Sequence, residues 1–141
     1  MSLADLHPGI SVFFSVTVDT VPLGTWNKLS GLGMSIQHAD RTDTAMSMFY
    51  NHLPGAMTYS PITLERLIGP ETAQTLNWFS AYHMLPIPVT GQIVCLTQDM
   101  EPVMSWELLG VSPREWRGPT LDAGSAAALT ETLTINHMGF L

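Results

Sequence analysis

Five histidines are the residues of this chain best suited to hold a metal ion, but their spacing argues against a metal site. They are His7, His38, His52, His83 and His137. None belongs to a His-Glu-x-x-His run or a His–Cys cluster, the spacings that bring ligands together around zinc. His38 and His52 could face each other across a predicted hairpin, although exposed or half-buried hairpin histidines are the simpler interpretation. The sequence therefore predicts no metal site and no cofactor.

The carboxylates and the single cysteine offer no catalytic arrangement either. Asp40 and Asp43 flank Arg41 in a polar loop, where a solvated charge cluster is expected. Cys95 lies in the apolar run GQIVCLTQ, which is typical of a buried and unreactive thiol. No Gly-x-Ser-x-Gly elbow and no phosphate-binding Gly-Lys-Ser loop is present. Because the groups that an active site requires are missing, the sequence predicts that the protein is not an enzyme.

Composition indicates a domain with too few charges to cover its own surface. The chain has 141 residues, which suits one domain over residues 1–141. Hydrophobic residues make up 45% and charged residues only 12%, about half of the roughly 25% that is usual. This balance favours burial against other subunits over the alternative, a well-packed monomer with a Ser/Thr/Asn surface.

The charge balance excludes two classes of partner. Five basic residues stand against twelve acidic ones, the net charge is −7, and Lys28 is the only lysine. Phosphate backbones and anionic membrane surfaces both require clustered Lys or Arg. We therefore expect neither sequence-specific nucleic acid binding nor membrane binding. The first residues, MSLADLHPGI, lack a basic segment followed by a long apolar one, so we expect no signal peptide. We therefore expect the protein to be made and assembled in the cytoplasm.

The elements that must position these residues are mostly strands. Runs of β-branched and aromatic residues with period-2 alternation predict about eight of them. Pro54-Gly55 predicts a turn, and Ile62, Leu64 and Arg66 are predicted to share one face of the strand Thr58–Leu67. The predicted strands are Ile10–Val18, Leu23–Gly31, Gly33–Ala39, Ala45–Leu53, Thr58–Leu67, Val89–Gln98, Glu101–Val111 and Ala128–Phe140.

One helix and one long loop complete the prediction. The segment Gly69–Leu85 has Pro70 and Glu71 near its start, both favourable in a first turn, and Pro86 and Pro88 end it. Its predicted inner face consists of Ala73, Leu76, Phe79 and His83. Residues 112–128 are rich in Pro, Gly, Ala and Ser and are predicted to be an ordered loop. The predicted class is mainly β: two packed antiparallel sheets, as in a sandwich or barrel, with one flanking helix.

Several stretches, taken together and in order, resemble the phage tail tube proteins, a family that includes the inner-tube proteins of contractile injection systems. They are FFSVTVDTVPLGTWNKLSGL, HLPGAMTYSPITLERL, the helix with Trp78, SWELLGVSPREWRGPTLDA and TETLTINHMGF. The resemblance covers nearly the whole chain. Two departures concern regions that set ring contacts: Leu67 stands where the family has Gly, and the hairpin tip is DRTDT instead of Gly-rich.

The resemblance implies a tail-tube-like fold and a structural role. Hexameric rings would stack into a hollow tube inside a contractile sheath, in a phage tail or an injection particle. The expected partners are other copies of the chain, the sheath protein, baseplate, hub or tube-initiator proteins, and a DNA or protein cargo in the lumen. A tube-initiator or cap protein at the baseplate end is the alternative role, and a small β-sandwich ligand-binding module or enzyme is the alternative of another class.

Two segments are predicted to form the subunit interface. One is the hairpin between Gln37 and Leu53, and the other is the segment that follows Ser112. In that second segment, Trp116 between two arginines could either pack onto the core or anchor a subunit contact, since Trp and Arg are enriched at the centres of interfaces. The candidate contact residues are Gln37, Asp40, Arg41, Asp43, Met46, Met48, Tyr50, Arg114, Trp116 and Arg117.

Overall fold

The computed structural model describes residues 12–38, 54–124 and 128–141. They form ten strands and one α-helix. In chain order the elements are β1 (Val12–Val18), β2 (Val21–Trp26), β3 (Lys28–Ser30), β4 (Met34–His38), β5 (Pro54–Tyr59), β6 (Ile62–Leu67), α1 (Thr72–Met84), β7 (Val89–Thr97), β8 (Pro102–Arg117), β9 (Thr130–Asn136) and β10 (Gly139–Phe140).

The strands form two antiparallel sheets that share one long strand. The order of neighbours is β2-β1-β7-β8-β9-β6-β3, with β10 also paired to β8. The first half of β8 pairs with β7 and its second half pairs with β9. The chain passes directly from β2 at one edge to β3 at the other, so the two layers are joined at both sides. The predicted class, mainly β with two antiparallel sheets and one helix, is confirmed.

Strand β8 passes from β7 to β9 between Val111, its last residue paired with β7, and Ser112, its first paired with β9. The residue before Val111 is Gly110. Its φ of +58° is a conformation that favours glycine, and an added Cβ would overlap the side chain of Met138. The predicted loop from residue 112 is wrong as far as Arg117, because β8 continues to that residue. The loop was predicted because a proline such as Pro113 usually ends a strand. Pro113 stands where the β8–β9 register shifts, and a strand tolerates proline at such an irregularity.

The hairpin before β6 also differs from the prediction. Pro54 and Gly55, predicted to form a turn, begin strand β5. The predicted strand Thr58–Leu67 is interrupted at Ser60-Pro61, where β5 ends and β6 has not yet begun. β4 and β5 pair only with each other. We call this two-stranded element the ribbon; the predicted strand Ala45–Leu53 lies outside the described residues.

Helix α1 lies within the predicted segment Gly69–Leu85 but begins three residues later, at Thr72, ends at Met84 and has a different buried face. Glu71 precedes its first residue and Leu85 follows its last. Thr75, absent from the predicted face, is its one buried residue, whereas Leu76 and His83 are exposed. Of the predicted face, Phe79 is packed against the core, together with Trp78. Apolar residues occur on several sides of this helix, so periodicity could not determine which side is buried.

The core lies between the two layers and follows the alternation of the strands. On β6 the side chains of Ile62 and Leu64, the two leading residues of the predicted shared face, are buried, and on β9 those of Leu133 and Ile135 are buried. Each such burial contributes roughly 1.5–3 kcal/mol. The other members of the core cluster are Val16, Val18, Leu23, Trp26, Ile93, Leu108 and Val111. The described residues contain no helix long and apolar enough to span a membrane.

Candidate self-assembly surface

The ribbon has one apolar and one polar face. Met34 pairs with Tyr59, and Ile36 with Met57, so these four side chains share a face because opposed residues of an antiparallel pair point the same way. Met34, Ile36 and Met57 are exposed. On the other face the hydroxyl groups of Ser35 and Thr58, 2.7 Å apart, form a hydrogen bond.

Among the described residues, the ribbon contacts the body of the protein at its base. The Tyr59 ring packs on the rings of His137 and Phe140, with centroids 5.3 and 5.9 Å away. His137 is buried, and both of its ring nitrogens are buried without a hydrogen-bond partner in the described part of the chain. Gly31, with a φ of +92°, starts the connection to β4, and any Cβ there would overlap the carbonyl of Pro61.

An apolar groove continues the ribbon's apolar face onto the body. Its volume is about 290 Å³, and Trp106 and Phe140 form its floor beside Met34. Leu32 and Gly33, in the connection between β3 and β4, complete its lining. Met34 belongs both to the ribbon face and to this groove, so the two apolar surfaces adjoin each other.

Of the predicted hairpin contacts, only Gln37 lies within the described residues. It is exposed on β4, next to Ile36 on the ribbon. The other predicted hairpin contacts, Asp40, Arg41, Asp43, Met46, Met48 and Tyr50, lie outside the described residues, as do His7 and His52.

The other three predicted contacts lie at the C-terminal end of β8. Arg114 and Arg117 are exposed, and Trp116 is half-buried with its ring against Gly118 and its indole N–H buried without a partner. The Arg117 Nε donates a hydrogen bond to Glu115 Oε1. This hydrogen bond and the charge of Glu115 raise the pKa of Arg117.

The outer face of the layer formed by β3, β6, β9 and the second half of β8 is polar and has no element packed on it in the described residues. One row across four strands consists of Lys28, Glu65, Thr132 and Arg117, which are successive register partners. The next row is Ser30, Thr63, Thr134 and Glu115. Two basic and two acidic residues alternate with hydroxyl groups, so this face suits contact with water.

A buried ionic network holds the helix to both layers, and sequence reasoning missed it. Arg66 Nε donates to Glu131 Oε1 at 2.5 Å, Nη1 to the Leu23 carbonyl at 2.6 Å and Nη2 to Thr75 Oγ1 at 3.3 Å. Thr72 Oγ1 donates to Glu131 Oε2 at 2.6 Å. The Arg66 side chain is 3% exposed and that of Glu131 0%.

Two further contacts complete the surroundings of the guanidinium group. It lies over the Trp26 ring, 3.8 Å from the centroid. A Cβ on Gly24 would come within 2.6 Å of Arg66 Nη1, so glycine makes room for the arginine. The available signal was that Arg66 is predicted to share one strand face with Ile62 and Leu64. An isolated charge on a buried face is very costly, so Arg66 required a partner.

Those residues considered for catalysis or metal binding that the structure describes form no metal-binding cluster. The described part of the chain holds no group of three or more His, Cys, Asp or Glu side chains that could bind a metal. Cys95 is buried, as predicted, and this burial raises the pKa of its thiol. His83 is exposed on α1, far in sequence from buried His137.

Comparison with solved structures identifies the fold. A chain of the extracellular contractile injection system PVC sheath–tube complex in the extended state has a TM-score of 0.74 and 20% identity, covering 99% of this chain and 92% of that one. A chain of the anti-feeding prophage baseplate, six-fold symmetrised, has a TM-score of 0.71 and 19% identity, covering 100% and 96%. A chain of the PVC sheath/tube terminator in the extended state has a TM-score of 0.71 and 21% identity, covering 99% and 98%.

Sequence comparison gives the family. No curated protein matches this chain. The family model described as T4-like virus tail tube protein gp19 matches residues 11–141, nearly the whole length. The chain therefore belongs to the T4-like virus tail tube protein gp19 family.

Proposed function

We propose that this chain is a structural subunit of the inner tube of a contractile tail or injection system. Copies associate into hexameric rings, and rings stack into a hollow tube inside a contractile sheath. The subunit conducts DNA or protein cargo and catalyses no reaction. The observation that carries the proposal is the exposed apolar face of the ribbon in a chain of the tail tube family.

A ring requires two different surfaces that fit each other. A contact that joins one surface of a subunit to another surface of the next copy closes into a ring when the rotation is right. The ribbon face, with Met34, Ile36 and Met57, is one such surface. A two-stranded ribbon is marginally stable alone, and within the described residues this one contacts its own body at the base, so we infer that a neighbouring copy covers its apolar face. The six-fold symmetry of the anti-feeding prophage baseplate supports a ring of six.

A tube also needs surfaces that are not buried. The row Lys28, Glu65, Thr132 and Arg117 carries balanced charges and hydroxyl groups. Such a surface stays in contact with water and offers no apolar patch or cluster of one charge that would hold a passing cargo. The net charge of −7 further disfavours retention of DNA.

The similar structures name the partners that the proposal includes. They are complexes of tube with sheath, of sheath and tube with terminator, and of the baseplate. Because baseplate and terminator chains share this fold, a tube initiator or a cap is the alternative role. The two roles differ in one property: a bulk subunit polymerises alone, whereas an initiator or cap requires another protein.

Electron microscopy of the purified protein over a range of concentrations, with light scattering for mass, tests the proposal. We expect six-fold rings or tubes. The variant Ile36→Asp places a charge on the apolar ribbon face and should remain monomeric. Ser35→Asp places the same charge at the neighbouring position on the polar face and should still assemble. Circular dichroism and thermal melting verify that both variants are folded.

Two outcomes would contradict parts of the proposal. A compact wild-type monomer at high concentration would exclude the bulk subunit and favour the initiator or cap. Rings that form equally well from the Ile36→Asp variant would show that the ribbon face is not a contact.

A further inference from the structure

The methionines of this protein lie on its surface. The chain has nine, and six of them are within the described residues. All six are exposed, between 42% for Met104 and 82% for Met84, although methionine is among the residues most often buried. The other four are Met34, Met57, Met100 and Met138. Methionine adapts its shape to irregular partners and is enriched at interfaces.

Two of these methionines share the apolar face of the ribbon. Met34 and Met57 flank Ile36 there, and Met34 also lines the groove with Trp106 and Phe140. The thioethers therefore lie at the centre of the continuous apolar surface, and burial of that surface against a second copy would enclose them. Tyr59 Oη donates a hydrogen bond to Met57 Sδ at 2.8 Å. This bond engages a sulfur lone pair, so the more exposed Met34 should be oxidised first.

We propose that this ribbon face is a peroxide-sensitive contact between copies of the chain, so that oxidation of Met34 and Met57 blocks assembly. The inference rests on the proposed function. The sulfur lone pair attacks one oxygen of hydrogen peroxide, the O–O bond breaks, and water leaves. Sulfur is oxidised by two electrons and peroxide is reduced. The product sulfoxide is polar, and methionine sulfoxide reductases reverse the change.

Oxidation should weaken the contact because a sulfoxide prefers water. Burying one without a hydrogen-bond donor weakens association by about tenfold per site. An assembled tube, by contrast, encloses both thioethers and protects them. Free subunits are thus the sensitive form, and completed tubes are the resistant form.

Hydrogen peroxide and peptide mass spectrometry test the inference on the full-length chain. Free subunits and assembled tubes are treated in parallel, and oxidation is measured at each methionine. We expect Met34 and Met57 to be oxidised about tenfold more slowly in tubes than in subunits. The variant Met34→Leu/Met57→Leu keeps the face apolar and should assemble after peroxide treatment that stops the wild type. Met100→Leu, a change at the β7–β8 turn, should remain as sensitive as the wild type.

The possible failures are distinguishable. If untreated wild-type protein does not assemble, the proposed function fails. If it assembles and peroxide blocks the Met34→Leu/Met57→Leu variant as strongly as the wild type, the inference is overturned and the proposed function stands. Equal oxidation of Met34 and Met57 in tubes and in subunits also overturns the inference.

Discussion

Arg66 on β6 and Glu131 on β9 are register partners that form a buried ion pair, with Arg66 Nε 2.5 Å from Glu131 Oε1. Helix α1 supplies a further partner to each group. Thr72 donates a hydrogen bond to the Glu131 carboxylate, and Thr75 accepts one from the Arg66 guanidinium group. The helix has few buried apolar side chains of its own. The ion pair therefore fixes the helix position as well as the pairing of the two strands.

Breaking this pair from one side should destabilise the protein strongly. In Glu131→Gln the guanidinium group loses its counter-charge in the core, and we expect a loss of about 3–5 kcal/mol of unfolding free energy. The double variant Arg66→Met/Glu131→Leu leaves no buried charge and should lose less than the sum of the single variants Arg66→Met and Glu131→Leu. Urea denaturation at pH 7 measures these three variants and Glu131→Gln. The exposed pair gives the control: Arg117→Ala should cost much less than Glu131→Gln, because solvent screens an exposed ion pair.

An equal effect of Glu131→Gln and Arg117→Ala would contradict the assigned role of the buried pair. The double-variant cycle separates the interaction from the changes in packing, since the two sites are in direct contact and should not be additive.

The geometry of the ribbon base should depend on Gly31. Gly31→Ala combines a φ of +92° with an overlap on the Pro61 carbonyl, and we expect it to cost about 1–3 kcal/mol or more. Gly33, two residues later, is the matched control, because a Cβ there would meet only Ser60 Oγ at 3.6 Å. Gly33→Ala should leave the melting temperature nearly unchanged. Equal melting temperatures for the two variants would contradict the assigned conformation.

How far the sequence predicts this fold depends on the kind of residue. Strand alternation correctly placed Ile62, Leu64 and Arg66 on one face of β6, because period 2 leaves only one way to divide a strand into two faces. The helix face could not be predicted from period 3.6, since Thr75 is buried for its hydrogen bond and not for its hydrophobicity. The extension of β8 past Ser112 could not be predicted either, because proline at a register shift looks the same in sequence as proline in a loop. A prediction of the apolar ribbon face would have required knowing that Ile36 pairs with Met57. That pairing depends on the register of the two strands, which alternation within one strand does not determine.

Two leucines of the same strand should respond very differently to truncation. Leu64 is fully buried on β6, whereas Leu67 is 54% exposed. Leu64→Ala removes buried methyl groups and leaves a cavity, so we expect a loss of about 2–5 kcal/mol. Leu67→Ala should change the stability of the monomer by about 0.5 kcal/mol or less. Chemical denaturation under conditions that keep the protein monomeric measures both. A loss at Leu67 as large as that at Leu64 would contradict the orientation of β6.

The thiol of Cys95 should react slowly in the folded protein. Burial raises its pKa, so at pH 8.5 the folded chain contains less thiolate than the unfolded chain, and thiolate is the reactive form. The reaction of Cys95 with a disulfide reagent should therefore be slow in buffer and fast in denaturant. In the folded protein, the reaction rate should keep rising with pH above the value at which the rate for a free cysteine reaches its plateau. A folded rate equal to the denatured one would contradict the buried position.

The two arginines at the end of β8 should contribute unequally to assembly. Arg117 already has an ionic partner in Glu115, whereas Arg114 is exposed and has no ion pair within the part of the chain that the structure describes. An unpaired exposed guanidinium group is available to a neighbouring copy, and Arg is a common anchor of interfaces. We expect Arg114→Ala to raise the concentration needed for assembly by about tenfold, equivalent to about 1.4 kcal/mol. Arg117→Ala should change it less. Light scattering across a dilution series measures both, and a larger effect of Arg117→Ala would reverse the assignment.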